Sequence, residues 1–135
     1  MGAWDSDNFG NDDAADWLSE LLDGDSIEPI RQTLADLLEQ PSGEYLEAPE
    51  CACALAAAEV VAAAQGKPAE NLPEDAFKWL EAHGREVAAM VELLEMARRA
   101  VGRIQETSEL KDLFDESDSL EEWNQVQDSL KARLG

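Results

Sequence analysis

The chain has 135 residues, of which 44% are apolar, and its 31 acidic and 10 basic residues give a formal net charge of −21 at pH 7. This length fits one domain, and the apolar content is enough for a core without disulfides or a metal ion. The excess of negative charge repels phosphate backbones and anionic lipid headgroups, so we expect no direct binding to nucleic acid or to a membrane.

The first helix is predicted to begin after Asn11, a residue type that caps helices, with Asp12 and Asp13 in its first turn. Trp17 lies on its apolar stripe, and Gly24 is placed to end it. A second helix is predicted to follow, from a cap near residue 26 to the turn at residues 40–43. Its apolar residues recur at helical spacing, at Ile27, Ile30, Leu34, Leu37 and Leu38.

A third helix is predicted over residues 50–65, and it contains eight alanines between Ala52 and Ala64. Small side chains on every side allow neighbouring helices to approach closely, so we expect this helix at the centre of the fold. Glu59 is the one carboxylate well inside it. Because an unpaired buried charge is costly, Glu59 is expected to face outward or to pair with an arginine.

A short fourth helix is predicted to open at Leu72-Pro73, and Gly84 is expected to separate it from a long fifth helix. Ser108 is expected to cap another helical turn, which carries Leu110, Leu113 and Phe114. The sequence Ser119-Leu120-Glu121-Glu122 has the pattern of a capping box and predicts the start of the last helix. Its apolar stripe consists of Leu120, Trp123, Val126, Leu130 and Leu134.

These patterns predict an all-α protein, because no useful strand alternation occurs and the gaps between helices are short. We expect a single compact bundle of about six to seven helices, with mostly antiparallel neighbours. One domain is expected over residues 1–135, with residues 1–11 as an N-terminal arm.

The chain begins with Met1-Gly2-Ala3-Trp4, and then has Phe9 and Asn11-Asp12-Asp13-Ala14-Ala15-Asp16-Trp17-Leu18. With these motifs it resembles the DUF4259 family of bacterial domains of unknown function. The alanine-rich residues 56–63, Ser108-Glu109-Leu110 and the region around Trp123 extend the resemblance over most of the chain. Asp5 and Asp7 depart from the family, which typically has glycines there. The resemblance implies a small bacterial helical protein and implies no activity.

The main functional hypothesis is a non-enzymatic interaction protein, similar to an immunity protein or inhibitor, that binds a basic partner through carboxylates. No basic residue precedes Arg31. The candidate partner-binding residues therefore lie near the N-terminus and comprise Trp4, Asp5, Asp7, Phe9, Asp12, Asp13, Asp16 and Glu20. The other interpretation of this segment is that Trp4 and Phe9 pack onto the bundle. No catalytic residue and no cofactor is predicted.

The same segment partly imitates a calcium loop, with candidate ligands at Asp5, Asp7, Asn11, Asp13 and Asp16. It departs from that loop because Phe9 occupies a ligand position and Asp16 replaces the bidentate glutamate. Two further functions stay open. One is a metal-dependent hydrolase with carboxylates from several helices, although no Glu-x-x-His pair occurs. The other is a structural homodimer.

The two cysteines, Cys51 and Cys53, are two positions apart in a helix, so they point to different sides and cannot pair with each other. Their spacing matches no zinc motif. Unpaired cysteines without a secretory signal predict a cytoplasmic location. His83, the one histidine, is expected to cap a helix end beside Gly84.

Overall fold

The computed structural model describes residues 7–41 and 45–135, so Trp4 and Asp5 of the candidate site lie outside the described residues. These residues form seven α-helices and no strand. The prediction of an all-α bundle of about six to seven helices is confirmed. In chain order the helices are α1 (Asp12–Asp23), α2 (Glu28–Leu38), α3 (Ala48–Ala64), α4 (Glu74–Ala89), α5 (Val91–Glu106), α6 (Glu109–Glu116) and α7 (Leu120–Leu134).

Helix α3 is the centre of the bundle and contacts each of the other six helices. Its alanines make this possible, because a methyl side chain lets a neighbouring helix approach closely. Ala54, Ala56, Ala57 and Ala58 have no exposed surface. Although α3 is the most apolar of the helices, none of those in residues 7–41 and 45–135 has both the length and the apolar character required to cross a membrane.

Both ends of α1 follow the sequence signals at Asn11 and Gly24, and a glycine in a left-handed conformation follows α3. The side-chain oxygen of Asn11 accepts a hydrogen bond from the backbone N–H of Ala14 at 2.8 Å, which satisfies a donor that the first turn leaves free. Gly24 ends α1. After α3, Gly66 has a φ of +87°, a backbone conformation that residues with a Cβ rarely adopt.

The boundary between α4 and α5 differs from the prediction. Helix α4 continues through Gly84 to Ala89, and the chain breaks at Met90, whose φ of −90° and ψ of 89° are not helical. His83 therefore lies inside a helix and does not cap its end. Its ring packs against that of Trp79 in a tilted arrangement, with centroids 4.7 Å apart and planes 33° apart, and its Nε2 lies 3.2 Å from the carboxylate of Asp25.

The two C-terminal helices begin differently. The Ser108 hydroxyl accepts a hydrogen bond from the backbone N–H of Lys111 at 3.1 Å, so the predicted cap of α6 is confirmed. Helix α7 begins at Leu120, as the Ser119-Leu120-Glu121-Glu122 pattern predicts, but the Ser119 side chain accepts no capping hydrogen bond. The Ser119 hydroxyl donates to the carbonyl oxygen of Ser117 at 3.4 Å instead.

Candidate functional site

The α1 acidic face consists of Asp12, Asp16 and Glu20, which are exposed and four positions apart. This spacing places the three carboxylates on one side of the helix, because residues i and i+4 are neighbours on a helical surface. Within residues 7–41 and 45–135, no Lys, Arg or His lies within ion-pair distance of them. The face therefore has a negative charge that the described part of the chain does not neutralise by direct pairing.

The other described candidates of the N-terminal segment have local structural contacts. The side-chain oxygen Oδ1 of Asp7 accepts a hydrogen bond from the backbone N–H of Phe9 at 2.8 Å. Phe9 is half-buried and packs against the hydrophobic core, which agrees with the interpretation that it packs onto the bundle. Asp13 is also half-buried.

The calcium-loop candidates do not converge in the described part of the molecule. The side-chain oxygen of Asn11 is used to cap α1, and Asp7 is bonded to Phe9. No group of three or more His, Cys, Asp or Glu side chains that could hold a metal ion occurs among residues 7–41 and 45–135. Asp5 lies outside those residues.

A pocket of about 300 Å³ opens next to α1, between α1, α2 and α3. We call it the Trp17–Cys53 pocket. The indole N–H of Trp17 donates to the Thr33 hydroxyl at 2.7 Å, and this bond holds the ring against α2. The lining residues are Trp17, Thr33, Asp36, Leu37, Gln40, Pro49, Glu50 and Cys53.

Both cysteine thiols are poor nucleophiles at neutral pH. Burial is the main cause that raises the pKa of Cys53 to about 11, and the negative charges of Asp13, Glu20, Asp16 and Glu50 raise it further. Burial raises the pKa of Cys51 to about 12. Because the thiolate is the reactive form of cysteine, both side chains are expected to act as small apolar groups.

A buried ion pair joins the central helix to the last one. Glu59 of α3 has a side chain that is only 2% exposed, and its Oε1 lies 2.7 Å from Nη1 of Arg133 in α7. The second guanidinium nitrogen, Nη2, donates to Glu59 Oε2 at 3.3 Å. This contact is the arginine pairing that was one of the two expectations for Glu59.

Two amide side chains complete this arrangement, which we call the Glu59 cluster (Asn8, Glu59, Gln127 and Arg133). Nδ2 of Asn8 donates to Glu59 Oε2 at 2.8 Å, and Nε2 of Gln127 donates to Asn8 Oδ1 at 2.8 Å. Asn8 is 3% exposed and Gln127 is 0% exposed. Because buried polar groups are costly without partners, these bonds explain how four polar side chains fit inside the bundle.

A cleft of about 900 Å³ lies beside the Glu59 cluster. One wall is the loop at residues 68–71 after α3, and the other is the side of α7 that carries Val126 and Ser129. Asp7 and Asn8 also line it. The Glu59 carboxylate in the wall already accepts hydrogen bonds from Arg133 and Asn8, so its role there is structural.

A family model, described as Domain of unknown function (DUF4259), matches residues 2–126. The chain belongs to the DUF4259 family. The comparison with curated proteins and the comparison with solved structures gave no significant match. Of the Glu59 cluster, the DUF4259 match covers Asn8 and Glu59, whereas Gln127 and Arg133 follow its last residue.

Sequence reasoning missed most of the Glu59 cluster of this DUF4259 member. A signal for Gln127 was present, because it continues the spacing of Trp123, Leu130 and Leu134, all of which are buried. The prediction put Val126 in that stripe, and Val126 is half-buried. No comparable signal pointed to Asn8, which lies before the first helix in a polar segment.

Proposed function

We propose that this chain is a non-enzymatic binding domain whose acidic surface takes a basic protein partner, in the manner of an immunity protein or inhibitor. The observation that carries the proposal is the α1 acidic face, whose three exposed carboxylates have no cationic partner in the described part of the chain. Opposed charges across an interface speed the encounter of two proteins and disfavour wrong partners.

The net charge of the whole chain also favours the attraction of cations to its surface. The formal net charge is −21, so the field of the whole chain adds to the local field of α1. A positively charged partner is accelerated toward such a surface, whereas nucleic acid and anionic membranes are repelled. The α1 acidic face is the part of this surface that we propose as the binding site for the basic partner.

We also propose that the protein works in the bacterial cytoplasm. Cys51 and Cys53 are both free thiols, as expected for a protein in a reducing compartment. A basic toxin or enzyme made in the same cell is the kind of partner that an acidic inhibitor would meet there.

The test is affinity capture on the immobilised full chain from an extract of the organism that encodes it, at low and at high salt. The retained basic protein is then identified, purified and titrated against the chain. Because salt screens attraction between exposed charges, we expect binding at low salt and its weakening at high salt. The failure to retain any basic protein at low salt would overturn the proposal.

Two matched triple variants separate a defined surface from general acidity. The first variant replaces Asp12, Asp16 and Glu20 by lysine. The control variant introduces lysine at three other exposed carboxylates, which lie on α6 and α7: Asp115, Glu116 and Glu121. Both change the net charge equally. We expect the α1 variant to lose the purified partner and the control to keep it; equal losses contradict a site on α1.

A further inference from the structure

The Trp17–Cys53 pocket combines apolar walls with an acidic rim. Trp17 and Leu37 are buried core residues at 8% and 2% exposure, and Cys53 closes the side formed by α3. Asp36 and Glu50 stand at the opening and are exposed. A recess of this kind suits a ligand that has an apolar body and a cationic end.

The carboxylates of the rim remain available to a cation. Asp36 Oδ1 accepts a hydrogen bond from Nε2 of Gln32 at 2.8 Å, and Glu50 Oε2 accepts one from Nε2 of Gln40 at 3.4 Å. Both donors are neutral amides, and an ionised carboxylate has about four acceptor sites. Across residues 7–41 and 45–135, no Lys, Arg or His pairs with either carboxylate.

The pocket lies against α1. The thiol of Cys53 lies 3.7 Å from the main-chain oxygen of Asp13, so this pocket wall touches the acidic helix directly. The charges of Asp16 and Glu20 on the α1 acidic face also act on the Cys53 thiol. A partner attracted by α1 therefore arrives beside an opening that can hold one of its side chains.

We infer that the Trp17–Cys53 pocket is the anchor point for a lysine or arginine side chain of the basic partner. The methylene stem packs between Trp17 and Leu37, and the ammonium or guanidinium group lies at Asp36 and Glu50. Lysine and arginine have this dual character, because their stems are apolar while their ends are charged. The inference rests on the proposed function and adds to it the side chain that is recognised.

This occupant fits the observations better than a neutral apolar one. A neutral side chain would fill the apolar walls but would leave two carboxylates at the rim partly desolvated without a counter-charge. Interfaces commonly concentrate their binding energy in a few side chains that enter well-packed pockets, and arginine is enriched among these. A pocket of about 300 Å³ can hold one such side chain.

The test uses two synthetic peptides of equal length and equal charge, titrated into the isotope-labelled full chain and followed by nuclear magnetic resonance. One alternates lysine and alanine. The other replaces each lysine by diaminobutyrate, whose ammonium group is on a stem two methylenes shorter. We expect the lysine peptide to shift the indole N–H signal of Trp17 and to bind about tenfold more tightly, because each buried methylene contributes about 0.8 kcal/mol.

Variants of the pocket provide matched controls. Cys53→Met places a longer side chain in the pocket, whereas Cys53→Ala leaves it open, and neither changes the charge. We expect Cys53→Met to bind the lysine peptide about tenfold more weakly than Cys53→Ala does, because only the longer side chain occupies the space that the lysine stem would fill. Glu50→Gln tests the rim without filling the pocket, and Asp115→Asn is its control on the exposed surface of α6. A folded spectrum of each variant verifies that the bundle is intact.

The outcomes separate this inference from the function on which it rests. Equal binding of the two peptides, or equal binding to Cys53→Met and Cys53→Ala, overturns the anchor while the α1 acidic face can still bind a basic protein. The absence of binding by either peptide also overturns the anchor, and the capture experiment then decides the proposed function separately. Preference for the longer stem, lost in Cys53→Met and reduced in Glu50→Gln, supports the anchor.

Discussion

The side-chain amides of Asn8 and Gln127 exchange hydrogen bonds although the two residues are 119 positions apart in the chain. Gln127 Nε2 donates to Asn8 Oδ1 at 2.8 Å, and Asn8 Nδ2 donates to Gln127 Oε1 at 3.2 Å. This pairing fastens the segment before α1 to the last helix. The segment also carries Asp7 and Phe9, so its position on the bundle depends on a buried contact with α7.

We predict that Asn8→Ala lowers the free energy of unfolding by about 1–3 kcal/mol, because it leaves the buried amide of Gln127 without its partner and removes one of the hydrogen bonds that Glu59 accepts. Urea denaturation followed by circular dichroism measures this loss. Asn71→Ala is the control, since Asn71 is exposed, and its effect is expected to stay within about 0.5 kcal/mol. Equal effects of the two substitutions contradict a stabilising role for the amide pair.

Removal of one partner of the buried Glu59–Arg133 ion pair should destabilise the fold more than Asn8→Ala does. We predict that Arg133→Ala lowers the free energy of unfolding by about 3–5 kcal/mol, because it leaves the Glu59 carboxylate buried without a counter-charge. Replacement of both Glu59 and Arg133 by leucine should cost less than the single change, since no unpaired charge then remains.

The control for this prediction is Arg31→Ala. Arg31 pairs with Glu28 at 3.2 Å on the surface, where both side chains are about half exposed or more. Exposed pairs contribute about 0–1 kcal/mol, so little change in the urea midpoint is expected. A small effect of Arg133→Ala, similar to that of the control, would show that water reaches Glu59.

We predict slow reaction of Cys53 with thiol reagents. With a pKa of about 11, its thiolate is scarce at neutral pH, and the rate of labelling should be about tenfold or more below that of free cysteine. The measurement is the labelling rate of the Cys51→Ala variant, in which Cys53 is the one thiol, as a function of pH. The rate should rise through the alkaline range and reach that of free cysteine in denaturant. A rate in the folded protein equal to that of free cysteine contradicts the burial of this thiol.

The packing around α3 predicts that it will not accept larger side chains. Ala57→Leu should lower the free energy of unfolding by about 1–3 kcal/mol, because Ala57 has no exposed surface and the added carbons must displace neighbouring helices. Ala82→Leu is the same substitution at an exposed position of α4, with an expected effect within about 0.5 kcal/mol. Thermal unfolding of the pair tests this, and equal stability of the two variants would contradict close packing at Ala57.

Local signals in the sequence predicted most helices, and their failures have physical causes. Gly84 resembled a helix end, yet a glycine inside a helix costs only about 1 kcal/mol, which the packing of α4 offsets. The boundary between α4 and α5 lies at Met90 instead, and no local signal in the sequence marks that residue as a helix end. Ser119 had the spacing of a capping box, but its hydroxyl bonds to Ser117 of the preceding turn.

The features of the candidate site also differ in whether the sequence could predict them. The α1 acidic face follows from a helical period and a run of carboxylates, both of which are visible in the sequence. The Glu59 cluster depends on contacts between residues far apart in the chain, such as Glu59 and Arg133, and periodicity within one helix carries no information about them. The Trp17–Cys53 pocket likewise exists because three helices meet, which a single stretch of sequence does not reveal.

The alanine-rich α3 has a consequence for how proteins of this type can diverge. Twelve of its 17 residues are buried, so mutations there affect the positions of all six surrounding helices. The carboxylates of α1 are under no such restriction, since Asp12, Asp16 and Glu20 point away from the core. Two homologues can therefore keep the same architecture while the charges on α1 diverge, and a shared ancestry recorded in α3 does not imply that their α1 surfaces are alike.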